Sequence, residues 1–154
     1  MLEHLKAHLT GKVVILGIGN TLRSDDGIGS LLASRLKDKL SYIVYDAGVS
    51  PENYLGKVDK DKPDNLVIID AVDFGGKPGE FRAVDGEGIK TTNLFSTHNA
   101  SLSMLINFLQ SNSKMDIIVL IIQPKTIAFG DKLSPEIRET LVKLESFFMV
   151  QGSI

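Results

Sequence analysis

GIGNTLRSDDGIG, residues 17–29, follows the apolar run VVIL and precedes SLLASRLKDKL. The apolar run is typical of a strand, and the segment after it has helical spacing. The apolar positions that recur three and four residues apart are Ile28, Leu31, Leu32, Leu36 and Leu40. The stretch is therefore predicted to form a strand-to-helix turn. Such turns commonly bind phosphates, yet this one carries two adjacent carboxylates, Asp25 and Asp26.

Other apolar runs bounded by turn residues indicate strands buried on both faces. The predicted strands are VVILGI (13–18), YIVYDAG (42–48), LVIIDA (66–71) and DIIVLIIQP (116–124). Segments with helical spacing or start signals lie between and after them, namely SPENYLGKV (50–58), NASLSMLINFLQ (99–110) and SPEIRETLVKLESFF (134–148). In the last of these, Ser134 is the expected N-cap. Strands that alternate with helices predict an α/β fold with helices on both faces of the sheet.

One connection departs from this alternation. Between LVIIDA and GEFRAVDG lies only VDFGGKP (72–78), which is too short for the helical crossover that parallel strands require. The strand at GEFRAV is therefore expected to be antiparallel, at or near an edge of a mixed, mostly parallel sheet of about five strands. The segment DGEGIKTTNLFSTHN (85–99) has no clear period, and long irregular segments in compact domains are often functional.

Composition limits the possible functions. With 154 residues and 43% hydrophobic content, we expect one α/β domain over 12–154 and an N-terminal extension at 1–11. A net charge of -2 and the absence of a basic stripe argue against nucleic acid as a partner. The chain contains no cysteine, which excludes disulfides and thiolate chemistry. The lack of a signal peptide or a membrane-length apolar run predicts a cytoplasmic protein.

A Rossmann dinucleotide site is the first alternative for the turn, because Gly17 and Gly19 follow a strand. Leu22 stands where the third glycine of that fingerprint belongs, so the match is incomplete. Asp25 and Asp26 would repel a pyrophosphate at the helix N-terminus. The same carboxylates favour a divalent cation. The commoner arrangement is one in which Asp25 is a solvated helix cap and Asp26 interacts with the helix dipole in the first turn.

Other residues strengthen the interpretation of the turn as part of a cation-binding site. Asp26 follows the first strand and Asp70 ends the third, and these strand ends are neighbours if the strand order is 2-1-3. Asp46 closes the second strand, which lies one strand further out in that order. His98 lies at the end of the irregular segment, just before a helix. Taken alone it is more often a loop histidine, but with Asp26 and Asp70 it completes a set that could hold zinc or nickel with open positions.

Two further possibilities receive less weight. His4 and His8 have the i, i+4 spacing that could place a metal on one helix face, but solvent exposure is the better expectation for a terminal extension. A serine hydrolase is disfavoured because the chain has no G-x-S-x-G motif, and Ser96 is too close in sequence to His98 to serve as its triad partner.

Five motifs together resemble the nickel-iron hydrogenase maturation endopeptidases, in order and over nearly the whole chain from about Lys12 to about Leu144. They are GIGNTLRSDDGIG, DAGVSPEN, IIDAVDFGGKPGEFR, STHNASL and IIQPKTIAFGDKLSPEI. The resemblance implies that the metal ligands and catalytic residues are Asp26, Asp70 and His98. It also marks Asp46 as functionally important, and within the first motif we include Gly19, Asn20 and Asp25 as secondary functional positions.

The resemblance implies an endopeptidase that removes the C-terminal extension of the hydrogenase large-subunit precursor after nickel insertion. Nickel would be supplied by the precursor, and zinc or cadmium could replace it in vitro. Two carboxylates and one imidazole without a thiolate should bind a metal with modest affinity, which fits a metal presented by a partner. A non-catalytic nickel-binding maturation chaperone and a Rossmann-like nucleotide-binding protein remain the alternatives.

Overall fold

The computed structural model describes residues 2–91 and 99–154. Within these residues the strands are β1 (Val13–Ile18), β2 (Ile43–Gly48), β3 (Asn65–Ala71), β4 (Phe81–Asp85) and β5 (Asp116–Ile122). The helices are α1 (Leu2–Ala7), α2 (Ile28–Leu36), α3 (Leu55–Asp61), α4 (Gly86–Thr91), α5 (Asn99–Asn112) and α6 (Pro135–Gln151). Single turns of 3-10 helix at Ser24–Gly27 and Pro51–Tyr54 precede α2 and α3.

The described strands form one five-stranded sheet in the order β2-β1-β3-β5-β4. The first four of these are parallel, and β4 is antiparallel to β5 at the edge. The mixed α/β architecture, the antiparallel edge strand and the 2-1-3 order are confirmed. The sequence did not reveal that β5 lies between β3 and β4. The short β3–β4 connection therefore joins strands that are not hydrogen-bonded to each other.

Helices cover both faces of the sheet. Apolar side chains of α1, α2 and α6 pack with inward residues of the sheet in one cluster, which includes Leu5, Leu32 and Leu144. The other face packs against α3, α4 and α5 through residues such as Val58 and Ile106. The central strands β1 and β3 are buried along their whole length, as their continuous apolar runs predicted.

Local boundaries differ from the sequence expectations at several positions, including the end of α2 and the segment after β4. Helix α2 ends at Leu36, so Leu40 is buried beyond the helix and not on its face. The chain leaves the helical conformation at Lys37, the C-cap residue, whose ψ is 133°, and Asp38 after it has a left-handed φ of 64°. The first part of the segment predicted to be irregular forms α4, whereas residues 92–98, including His98, lie outside the described residues.

The N-terminal segment packs on the domain. Leu5 is fully buried in the cluster that also contains α2 and α6. His4 is half exposed and His8 is less exposed, with Nε2 atoms 3.3 and 3.7 Å from Asp85 Oδ1. The division of the chain at residue 12 stays a prediction. Within residues 2–91 and 99–154, no helix is both long enough and apolar enough to cross a membrane.

Candidate functional site

The opening turn is compact because two segments approach each other closely at Gly19. A Cβ atom at this position would collide with the backbone oxygen of Asp26. The Gly19 N–H donates to the Gly48 carbonyl at 2.8 Å, which ties the turn to the end of β2. Asn20 stabilises the next residues, since its Oδ1 accepts a hydrogen bond from the Leu22 N–H at 2.9 Å.

Asp26 lies in the 3-10 turn between β1 and α2 and is only 6% exposed. Its Oδ2 accepts a hydrogen bond from the Asn20 N–H at 3.3 Å. Helix α2 begins after Gly27, so neither Asp25 nor Asp26 is its N-cap residue. The interpretation of Asp25 as a solvated helix cap is therefore wrong, whereas Asp26 does lie in the first helical turn, largely away from solvent.

Asp70 is the penultimate residue of β3 and is fully buried. Strands β1 and β3 are adjacent and parallel, with Gly17 in register with Ile69, and the 3-10 turn that carries Asp26 packs against β3. The two carboxylates therefore lie at the same carboxyl edge of the sheet, beyond neighbouring strands. This is the edge at which open α/β sheets bind ligands.

Asp46 lies one strand further out, in register with Gly17 of β1. Its Oδ1 accepts hydrogen bonds from the Ser30 hydroxyl at 2.6 Å and from the Gly48 N–H at 3.1 Å. Ser30 belongs to the first turn of α2 and is 5% exposed. The helix that follows the opening turn therefore fixes the orientation of the Asp46 carboxylate.

Asp25 is fully buried and has a different environment from Asp26. Its Oδ1 accepts a hydrogen bond from the Ser134 N–H at 2.7 Å. Its Oδ2 accepts from the Ser134 hydroxyl at 2.8 Å and from the Lys125 and Thr126 N–H groups at 2.9 and 3.0 Å. Asp25 thus holds the loop after β5 and the start of α6 against the turn.

The same loop makes a short parallel bridge with the turn. The Gly130 N–H donates to the Leu22 carbonyl at 3.0 Å, and the Ser24 N–H donates to the Gly130 carbonyl at 2.9 Å. At the base of the loop, a hydrogen bond from the Lys125 ammonium to Glu136 lowers the pKa of that carboxyl group. These hydrogen bonds hold the loop after β5 against the turn that carries Asp25 and Asp26.

Sequence reasoning missed the contacts of two serine residues in this region. Ser134 was expected to cap α6; it does occupy the N-cap position, but its hydroxyl donates to Asp25 and makes no capping hydrogen bond. Ser30 was not considered, although it contacts Asp46. The GIGS sequence gave no signal for this contact, because the partner is 16 residues away on another strand.

The predicted metal set is only partly described. Asp26 and Asp70 are at the same sheet edge, whereas the third predicted ligand, His98, lies outside the described residues. Among residues 2–91 and 99–154, no three histidine or carboxylate side chains are arranged to hold a metal ion. The assignment of Asp26, Asp70 and His98 as ligands stays a prediction.

Fold and site define a single-domain α/β protein with buried carboxylates at the point where the winding of its sheet reverses. A family model for hydrogenase maturation proteases matches residues 27–149. The hydrogenase 3 maturation protease of Escherichia coli K12 is 35% identical over 130 residues, which cover 83% of each chain.

Solved structures agree with the family match. A crystal structure of a NiFe hydrogenase maturation protease from Thermococcus kodakarensis KOD1 has a TM-score of 0.86 and 32% identity, and the match covers 96% of this chain and 97% of that one. A solution structure of an endopeptidase from Escherichia coli has a TM-score of 0.77 and 29% identity, with 92% of each chain covered. The chain belongs to the hydrogenase maturation protease family. It is therefore a peptidase.

Proposed function

We propose that this chain removes the C-terminal extension of a nickel-iron hydrogenase large-subunit precursor after nickel has been inserted. Membership of the family supports the reaction class. The observation that carries the proposal is the position of Asp26 and Asp70, two carboxylates at most 6% exposed, beyond the carboxyl ends of adjacent parallel strands. A hard or borderline cation presented at this edge would meet ionised oxygen ligands there.

The chemistry of the donor set suits a metal that the substrate brings. Asp26, Asp70 and His98 provide two carboxylates and one imidazole, and no cysteine thiolate is available anywhere in the chain. Such a set has modest affinity for nickel, so the site would engage nickel already bound in the precursor. Nickel-loaded and nickel-free precursors would then differ in how well they complete the coordination shell, even with identical peptide sequences.

The chain's own residues have distinct roles in this proposal. Asp26 and Asp70 hold the substrate's metal, and the precursor's nickel supplies Lewis acidity at the scissile carbonyl or at a water molecule. Asp46 is the neighbouring carboxylate that can accept a proton, and Ser30 and the Gly48 N–H fix its orientation. The loop held by Asp25 forms a wall of the site and does not take part in proton transfer.

The test uses one precursor in nickel-loaded and nickel-free forms. The purified chain is incubated with each form, and intact mass measures loss of the C-terminal extension. We expect cleavage of the loaded form only, and loss of cleavage in His98→Ala. Asp116→Asn is the matched control, because Asp116 is an exposed aspartate at the amino end of β5, on the opposite edge of the sheet. Equal cleavage of the nickel-free form would refute the nickel dependence, and an unchanged mass of both forms would favour the chaperone alternative.

A further inference from the structure

An apolar groove lies between the segment that follows β2 and helix α5. Its volume is about 430 Å³, and it is lined by Pro51, Glu52, Leu55, Met104, Leu105 and Phe108. This volume is within the range of ligand-binding clefts. Five of the six lining residues are apolar, and Glu52 is the only charged one among them. The groove can therefore accept several apolar groups together with one positive charge.

The groove leaves large apolar side chains in contact with water. Met104 is 73% exposed and Phe108 is 46% exposed, although Leu105 between them is buried. Val49, two residues before Pro51, is 55% exposed. Exposed apolar side chains at a cleft are typical of a binding site, because covering them with a partner removes apolar area from water.

The position of the groove links it to the proposed catalytic edge. Helix α5 precedes β5, which is parallel to β3, so α5 starts at the carboxyl edge of the sheet and runs away from it. Asn99, its first residue, directly follows His98 in the sequence. The opposite wall begins at Pro51, just after β2, the strand that carries Asp46. Both walls thus start at segments that carry proposed functional residues.

The geometry of helix α5 gives the distance from its first residue to the groove. Met104 and Phe108 are five and nine residues beyond Asn99. At about 1.5 Å per helical residue they lie about 8 and about 14 Å along α5. An extended peptide advances about 3.3–3.6 Å per residue, so about two to four substrate residues would span this distance.

We propose that the groove binds a segment of the hydrogenase precursor about two to four residues from the scissile bond. This segment is apolar and carries one lysine or arginine, which pairs with Glu52. The proposal rests on the proposed function, because the occupant is the precursor cleaved at the adjacent edge. A second copy of this chain fits less well, because a stable interface uses about 20–30 residues on each side and the groove offers six.

The experiment measures both cleavage and binding. Nickel-loaded precursor is cleaved by the unmodified chain, Phe108→Ala, Glu52→Lys and the control Val150→Ala, which changes a 71% exposed side chain on α6. A fluorescent peptide covering the precursor's cleavage region reports affinity by anisotropy. We expect KM and the peptide Kd to rise about five- to tenfold in both groove variants, with kcat changed less than twofold. A precursor whose basic residue is replaced by glutamate should restore a low KM with Glu52→Lys.

The outcomes separate the two proposals. Normal cleavage with unchanged KM and peptide Kd in both groove variants would overturn the groove and leave the proposed function intact. Failure of the charge-swapped precursor to restore the KM of Glu52→Lys would overturn the assignment of the basic residue. Concentration-dependent dimerisation that Phe108→Ala abolishes, without an effect on KM, would assign the groove to a second copy. No cleavage of any nickel-loaded precursor by the unmodified chain would overturn the proposed function and the groove with it.

Discussion

Ser134 donates two hydrogen bonds to Asp25, from its backbone N–H at 2.7 Å and from its hydroxyl at 2.8 Å. These residues are 109 positions apart, so the contact joins the opening turn to the N-terminus of the last helix. The Lys125 and Thr126 N–H groups also donate to the carboxylate. The buried Asp25 side chain therefore organises one wall of the site by accepting hydrogen bonds.

Asp25→Ala should be strongly destabilising. The substitution leaves four donors without their acceptor, and a buried unpaired donor costs about 1–3 kcal/mol. We expect a loss of about 3–5 kcal/mol in the free energy of unfolding, measured by urea denaturation. Ser134→Ala removes one of the hydrogen bonds and should cost about 1 kcal/mol. Asp131→Ala, an exposed change in the same loop, is the control; an equal effect of Asp25→Ala and Asp131→Ala would contradict the role of this contact.

Gly29→Ala and Gly56→Ala should have opposite effects. A Cβ at Gly29 would collide with the backbone oxygens of Ile18 and Ile69, which belong to the two central strands. Helix α2 must then move off the sheet, and we expect a loss of about 2–3 kcal/mol. Gly56 lies in α3 with open space at its Cβ position, so alanine should stabilise the helix by up to about 1 kcal/mol. Thermal and urea unfolding of both variants test these predictions. Similar unfolding midpoints for Gly29→Ala and Gly56→Ala would contradict them.

Sequence periodicity predicted the elements of this fold better than their contacts. The buried strands β1 and β3 follow from continuous β-branched runs, because only strands covered on both faces need such sequences. The antiparallel direction of β4 followed from the length of one connection. The insertion of β5 beside β3 was not predictable from local pattern, since pairing depends on packing across the sheet.

In the candidate site too, the positions of residues were predictable from the sequence and their contacts were not. The location of Asp26, Asp46 and Asp70 at one edge was predictable because each follows or closes an apolar run, and parallel strands bring such ends to one edge. The contacts of Asp25 with Ser134 and of Asp46 with Ser30 could not be found from spacing. Each joins residues on different elements, and serine or aspartate in a turn is already explained by local capping.

Tyr45 should stabilise the protein in a pH-dependent way. Burial, together with a 2.6 Å hydrogen bond to Asp61 and the charge of that carboxylate, raises the pKa of Tyr45 to about 12. Because the folded pKa exceeds the unfolded value of about 10, the stabilisation is complete below about pH 10 and is lost as pH rises through about 12. We expect Tyr45→Phe to cost about 1 kcal/mol near pH 7.5 and less near pH 11, by urea denaturation. An unchanged difference between the two pH values would contradict this assignment.

Ser30→Ala should affect catalysis more than stability if Asp46 accepts a proton in the reaction. The Ser30 hydroxyl orients the Asp46 carboxylate at 2.6 Å and is not itself assigned a contact with substrate. We expect kcat for nickel-loaded precursor to fall about tenfold while KM changes less than twofold. Ser34→Ala, an exposed change on the same helix, should leave both values unchanged. A rise in KM alone would indicate that Ser30 acts on binding and not through Asp46.

Asp26→Asn and Asp70→Asn should each weaken metal binding while the fold is retained. Asparagine keeps the shape of the side chain but removes the ionised oxygen that a divalent cation prefers. Because both carboxylates lie at the carboxyl edge of adjacent strands, the loss of either should lower the affinity for free nickel or cadmium at least about tenfold, as measured by titration calorimetry. His98→Ala should also lower the metal affinity if His98 is the third ligand.

Asp116→Asn changes net charge equally at the opposite edge of the sheet, so it separates loss of a ligand from a general electrostatic effect. Circular dichroism melting verifies that each variant is folded. Wild-type affinity in both folded aspartate variants would remove Asp26 and Asp70 from the proposed metal site, and the nickel dependence of cleavage would then have to arise elsewhere on the chain.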